Sequence, residues 1–268
     1  MHPCLNVDEI FRLFAHELVS SEAKATAVAL ACCCKSFEEP VLDALWERQD
    51  RLTPLLKCFP RDVWREEYDR FVSLAAAFIL LALNCLVRKA FKRVPTKAEW
   101  AHSQKYARRM RELKVDTFKD PLTSYTLQVL QLRTVNNPWF PRLRKFECKG
   151  ATEAFISFIP LFLSPETTEI LIGFTEASPT VAVATLISKF PTLCPDLVSI
   201  VLHRLPKDPV VTEAVSEMLL ACNRDSLQLF RVDCPLTEEA RKVIRQLPRL
   251  SSLRARIQGI RLLSNMYT

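Results

Sequence analysis

Leu143-Arg-Lys-Phe146-Glu-Cys148, Leu197-Val-Ser-Ile200-Val-Leu202 and Leu227-Gln-Leu-Phe230-Arg-Val232 carry one spacing, apolar at i, i+3 and i+5. Alternation over the last residues of each is the mark of a strand with one buried face. Leu127-Gln-Val-Leu130-Gln-Leu132 has the same spacing, a weaker copy runs from Thr168 to Gly173, and Leu250-Ser-Ser-Leu253 begins another. The starts at 143, 168, 197 and 227 are 25, 29 and 30 residues apart. Between them lie helical stretches at 153–163, 180–189, 210–221 and 238–247, each introduced by a Ser/Thr or Pro start signal.

A short strand followed by a helix, repeated every 20–30 residues, predicts an irregular leucine-rich-repeat-like α/β solenoid over 126–268. One repeat cannot bury its own apolar face, so neighbours must stack. The Asn or Cys expected after the third apolar position is mostly missing, and a plain α/β domain or a helical-repeat array is the competing architecture. Alternate strand positions on the concave face would carry binding specificity. The candidates are Arg144, Glu147, Ser199, Gln228 and Arg231.

Upstream, 1–50 read as three small helices. Asn6 can cap the first, with Glu9 bonding back to it. Val7, Ile10, Phe11, Phe14 and Leu18 then form one apolar stripe. Pro40 fits the first turn of the third helix. Residues 51–125 form a helical connecting region.

Residues 71–87 are 17 uncharged, mostly apolar positions containing Asn84 and followed by Arg88 and Lys89. A membrane span needs ~20 such residues. Three readings stand open: a buried helix, a membrane span, or a segment foreign to the fold. The soluble character of both flanks weighs against the span.

The net charge of +7 is uneven. Residues 1–50 hold 4 Lys/Arg against 9 Asp/Glu, and 88–119 hold 11 against 3. An acidic head and a basic middle imply separate surfaces. In the basic segment Tyr106, Met110 and Leu113 fit the buried face of one helix, leaving Arg108, Arg109 and Arg111 on a solvated face. That weighs against nucleic acid as the partner, although Phe91, Trp100 and Tyr106 are rings that could stack on bases.

Only 3 glycines are present, and no phosphate-cradling Gly-rich motif. The 10 cysteines include no CxxC pair, and the 4 histidines are scattered. Tetrahedral metal sites need ligands in close pairs, so neither metal nor cofactor is expected. The cysteines read as reduced thiols of an intracellular protein, cytoplasmic or nuclear. No nucleophile–base pair or carboxylate pair has telling spacing, so the chain reads as a non-enzyme.

Ala29–Pro40, Leu45–Leu52, Tyr106–Leu113 and Phe140–Phe146 together resemble the expanded F-box family of mushroom-forming fungi. The resemblance covers nearly all of the chain except 71–91. It implies an α+β architecture, a small N-terminal helical F-box followed by the repeat-like region. It also implies a substrate receptor that docks on an Skp-type adaptor of a cullin ubiquitin ligase and presents a protein substrate. Carried over by position, Leu5, Val7, Ile10, Phe11, Leu30, Phe37, Leu42, Leu45 and Trp46 would form the adaptor surface and its small core. F-boxes usually open with Leu-Pro, whereas this chain has Leu5-Asn6; losing the fixed φ of proline implies weaker docking. A membrane-anchored or soluble repeat-containing interaction protein without a ligase role is the alternative.

Overall fold

A computed structural model describes residues 8–21, 23–68, 87–134, 138–257 and 260–265. The chain opens with three helices, α1 (Asp8–Ser20), α2 (Lys24–Cys33) and α3 (Lys35–Glu47). Extended backbone at Cys34 breaks α2 from α3. α3 therefore starts five residues before Pro40, which lies buried inside the helix and not in its first turn. With no amide to give, Pro40 leaves the carbonyl four residues back unbonded within the helix. Ala15, Ala27, Val41 and Ala44 form a small core between the three helices. Leu18, Val19, Leu30, Ala31 and Leu45 pack around it.

Strand β1 (Arg48–Gln49) and a short helix α4 (Thr53–Leu56) follow. Next, β2 (Trp64–Tyr68) and β3 (Val87–Phe91) form an antiparallel pair. The apolar run 71–87 lies outside the described residues except for Val87, which opens β3. Among the described residues no helix is long and apolar enough to cross a membrane.

The remaining strands are β4 (Glu112–Asp116), β5 (Lys145–Ala151), β6 (Glu169–Phe174), β7 (Ser199–His203), β8 (Leu229–Val232), β9 (Ser252–Ile257) and β10 (Ile260–Asn265). With β1 they make one sheet in the order β1-β4-β5-β6-β7-β8-β9-β10. Every pairing is parallel except β9–β10. The fold is thus mixed α/β, with a mainly parallel sheet whose order follows the sequence.

Register explains the repeat. Glu112, Lys145, Glu169, Ser199, Leu229 and Ser252 share one row across the sheet. Just before it, the carbonyls of Arg111, Arg144, Thr168, Val198 and Gln228 each accept two amides from the next strand's entry. The residues after that row, Leu113, Phe146, Ile170, Ile200 and Phe230, are all buried. Val115, Cys148, Ile172, Leu202 and Val232 form a second buried row. Side chains alternate along a strand, so one face is packed and the other is left open.

Helices and loops returning between strands supply the other side of the core. At its centre Phe162 stacks with Phe140, Phe146 and Phe155, and Trp139 stacks on Trp100. Burying each such ring contributes about 1.5–3 kcal/mol. One buried cluster runs from Leu52 to Ala255. Asp120, itself buried, ties the start of that cluster to the segment after β4 by accepting the amides of Leu52 and Thr53, both at 3.1 Å.

Four expected elements differ. The connecting region 51–125 is not wholly helical, since it contains β2, β3 and β4. The helix expected at 153–163 is two short pieces, a helical turn Glu153–Ile156 and a 3-10 turn Ile159–Phe162 with Pro160 in its first positions. Residues 127–132 belong to a helix, Ser124–Thr134, and not to a strand. The Thr123 hydroxyl accepts the Thr126 amide and starts that helix. Apolar positions at i and i+3 fit one helix face as readily as the start of a strand, and Leu132 is left exposed. The helix expected through Leu113 ends at Ala107. The Thr96–Glu99 capping box fixes its start, and the chain turns at 108–110 to enter β4, where Leu113 and Val115 are buried.

Candidate functional site

The described residues form two candidate surfaces, one on the N-terminal helices and one on the open face of the sheet.

On α1 the expected single stripe divides. Phe11 points inward and stacks on Phe37 with ring centroids 4.0 Å apart. Ile10, Leu13 and Phe14 point outward, exposed by 44%, 71% and 47%. Their i, i+3, i+4 spacing makes them one contiguous patch. Phe11 and Phe37 are therefore core, and Leu30 and Leu45 pack against the small core. Leu42 is half-buried, and Trp46 packs on Tyr106 of the sheet body at 4.9 Å. Leu5 and Val7 lie outside the described residues. Sequence reasoning missed Leu13 and the exposed Val28. The spacing of Leu13 from Ile10 was the available signal.

This helical unit is tied to the body by charge and backbone. The Arg109 guanidinium donates to the Glu39 carboxylate at 2.7 Å and to Asp43. Desolvation opposes its charge, but both carboxylates outweigh it and hold Arg109 above its ordinary pKa. Arg111 donates its amide to the Glu47 carbonyl at 2.8 Å. Arg109 was expected on a solvated helix face, yet its side chain is mostly covered by α3. Phe91 and Trp100 are buried, so neither ring is presented for stacking on a base.

On the sheet's open face the expected residues separate. Arg144 and Gln228 precede their strands, with exposed side chains and carbonyls in the backbone ladder described above. Glu147 pairs with Lys149 at 3.3 Å. Ser199 lies half-buried between Glu169 and Leu229 in register. Arg231 donates to the Ser252 hydroxyl at 3.1 Å and lines a cleft of about 690 Å³ at the ends of β6–β9.

Arg204, Lys207 and Asp233 also line that cleft, and the repeat spacing gave no hint of them. Arg204 has φ +57°, uncommon for a residue with a side chain. The Asp233 carboxylate holds this turn by accepting the amides of Arg204 and Leu205.

The thiols divide in the same way as the surfaces. Burial pushes Cys194, Cys222 and Cys234 up to about 12 and raises Cys148 further. Cys32 and Cys33 are exposed on α2, and hydrogen bonding to Ser36 lowers the Cys34 thiol. Among the described residues no group of three His, Cys, Asp or Glu side chains could hold a metal ion.

No protein-family model matches the chain, and no curated protein matches it in sequence.

Proposed function

We propose that the chain is a non-enzymatic receptor of an SCF-type ubiquitin ligase. The N-terminal helices, read as an F-box, dock on an Skp-type adaptor. The sheet body, read as an irregular leucine-rich-repeat-like solenoid, presents a protein substrate. The observation that carries this reading is the outward apolar triplet Ile10, Leu13 and Phe14 on a helical unit that already has its own core. Exposed large apolar side chains grouped in one patch mark a protein-binding surface, and a few such anchors supply most of an interface's energy. The tether at Arg109 fits a receptor that must hold its substrate in a fixed place relative to the ligase.

The test is co-purification of the full chain with an Skp-type adaptor, beside a Leu13→Asp/Phe14→Asp variant. Retention of wild type with at least about ten-fold weaker capture of the variant, at unchanged helical content, supports the reading. A folded wild type that is not retained sinks it.

A further inference from the structure

The open face of the sheet is electrically two-sided. From β1 to β6 its charges cancel: Arg48 with Glu112, Lys114 with Asp50, Lys145 with Glu169, Lys149 with Glu147. At the cleft beyond β7 stand Arg204, Lys207 and Arg231, and among the described residues none of them is ion-paired. The lining carboxylates are Glu176 and Asp233, and Asp233 is already engaged by two backbone amides. Next to Arg231 in register lies Val201, itself almost fully covered, then the half-buried Leu171, apolar positions running away from the cations. Beside His203 in register is Gly173, where an added Cβ would meet nothing closer than 3.9 Å. That lack of a side chain leaves a trough in the sheet surface.

We propose that this cleft and trough bind an extended acidic segment of a partner protein. Its carboxylates would pair with Arg204, Lys207 and Arg231, and a flanking apolar side chain would rest on Leu171. Guanidinium groups suit carboxylates because their forked donors pair with both oxygens. A single-stranded nucleic acid fits less well, since no Phe, Tyr or Trp lines the cleft to stack on bases. The inference rests on the reading of the sheet face as the substrate-holding surface and is independent of adaptor docking.

Fluorescence anisotropy on the full chain tests it. The probe is a fluorescein-labelled peptide of Glu and Asp around a central Leu-Val pair, and the control replaces the acids by Gln and Asn. The acidic peptide should bind at least about ten-fold tighter than the control. Lys207→Glu/Arg231→Glu should remove most of that binding, and Lys207→Gln/Arg231→Gln a part of it. Gly173→Leu should keep the wild-type melting temperature and block the trough. Should the double Glu variant fail to fold, the Gln pair and Gly173→Leu decide. Equal binding of both peptides, unchanged binding by the folded variants, or tighter binding of a single-stranded oligonucleotide overturns the proposal. Adaptor capture by the same preparations separates the two readings. Lost peptide binding with retained capture overturns this inference alone. Retained peptide binding with lost capture overturns the ligase reading alone.

Discussion

The N-terminal helices and the sheet body solve the same problem with very different means. The helical unit closes on Ala15, Ala27, Val41 and Ala44, with the Phe11–Phe37 stack beside them. The body closes on a continuous cluster containing Trp139, Phe140, Phe146, Phe162, Phe174, Phe190 and Phe230, all fully buried. Apolar area removed from water sets most of the stabilisation available, and small domains recover least of it. The helical unit therefore draws a larger share of its stabilisation from its attachment to the body, through Trp46 and Arg109, than the body draws from the helices. The difference also shows what each region leaves over. The helices group Ile10, Leu13 and Phe14 on one face of α1, whereas the body's exposed apolar side chains, among them Phe118, Leu132 and Val181, stand on several elements, and its cations Arg204, Lys207 and Arg231 gather at the cleft.

Thiol labelling should separate the regions most widely. Cys32, Cys33 and Cys34 should react at once in the native protein. Cys148, Cys194, Cys222 and Cys234 should react only after opening, slower by roughly 10³-fold or more given ordinary domain stability. Mass-spectrometric counting of modified sites checks this, and fast reaction of Cys194 would break the comparison.

Phe162→Ala should cost about 3–5 kcal/mol, because it opens a cavity where four rings meet. Urea unfolding should show the whole body losing stability together. A separate transition confined to part of the body would contradict the single cluster.

Arg109→Met removes the charged tie between the regions while keeping the bulk of the side chain. The expected cost is about 1 kcal/mol, discounted because Glu39 and Asp43 remain open to water. Hydrogen exchange should quicken in 8–47 and stay unchanged in β5–β8. Equal quickening in both regions would mean that the tie supports the body as well.

The smallest effect is a pH dependence local to the helix Lys97–Ala107. Hydrogen bonding from the Arg93 guanidinium, then from the Thr96 amide, lowers Glu99 to about 2. A depressed carboxylate contributes stability above its ordinary value near 4.5 and loses it as pH falls toward 2. Protection of the Glu99 amide should therefore fall over that window in wild type. In Glu99→Gln the local change should be absent.

Much of the body was legible as a pattern. The strands at 145–151, 199–203 and 229–232 were visible because alternation and turn signals agree there. β4 was not, since its few residues follow a helix after a short turn and Leu113 completes a helical spacing with Tyr106. The segment 127–132 misled because its spacing serves either element until neighbours decide. At the candidate site, Arg231 and Glu147 were legible as strand positions. Arg204 and Lys207 lie in a loop after β7, where no periodicity points to them.

The sequence by itself determined which short segments alternate, where helices begin, and that no Gly-rich phosphate motif or CxxC pair occurs, because these depend on residues close together in the chain. Tertiary structure alone decided the rest. Ile10 and Phe14 face outward because α3 claims the opposite side of α1. Arg109 is covered because Glu39 and Asp43 lie across from it, 66 residues away in the case of Asp43. The cations of the cleft come together because parallel register places the ends of β6 to β9 side by side. Local sequence sets period and polarity; which face is buried, and which charge finds a partner, is settled by packing between distant segments.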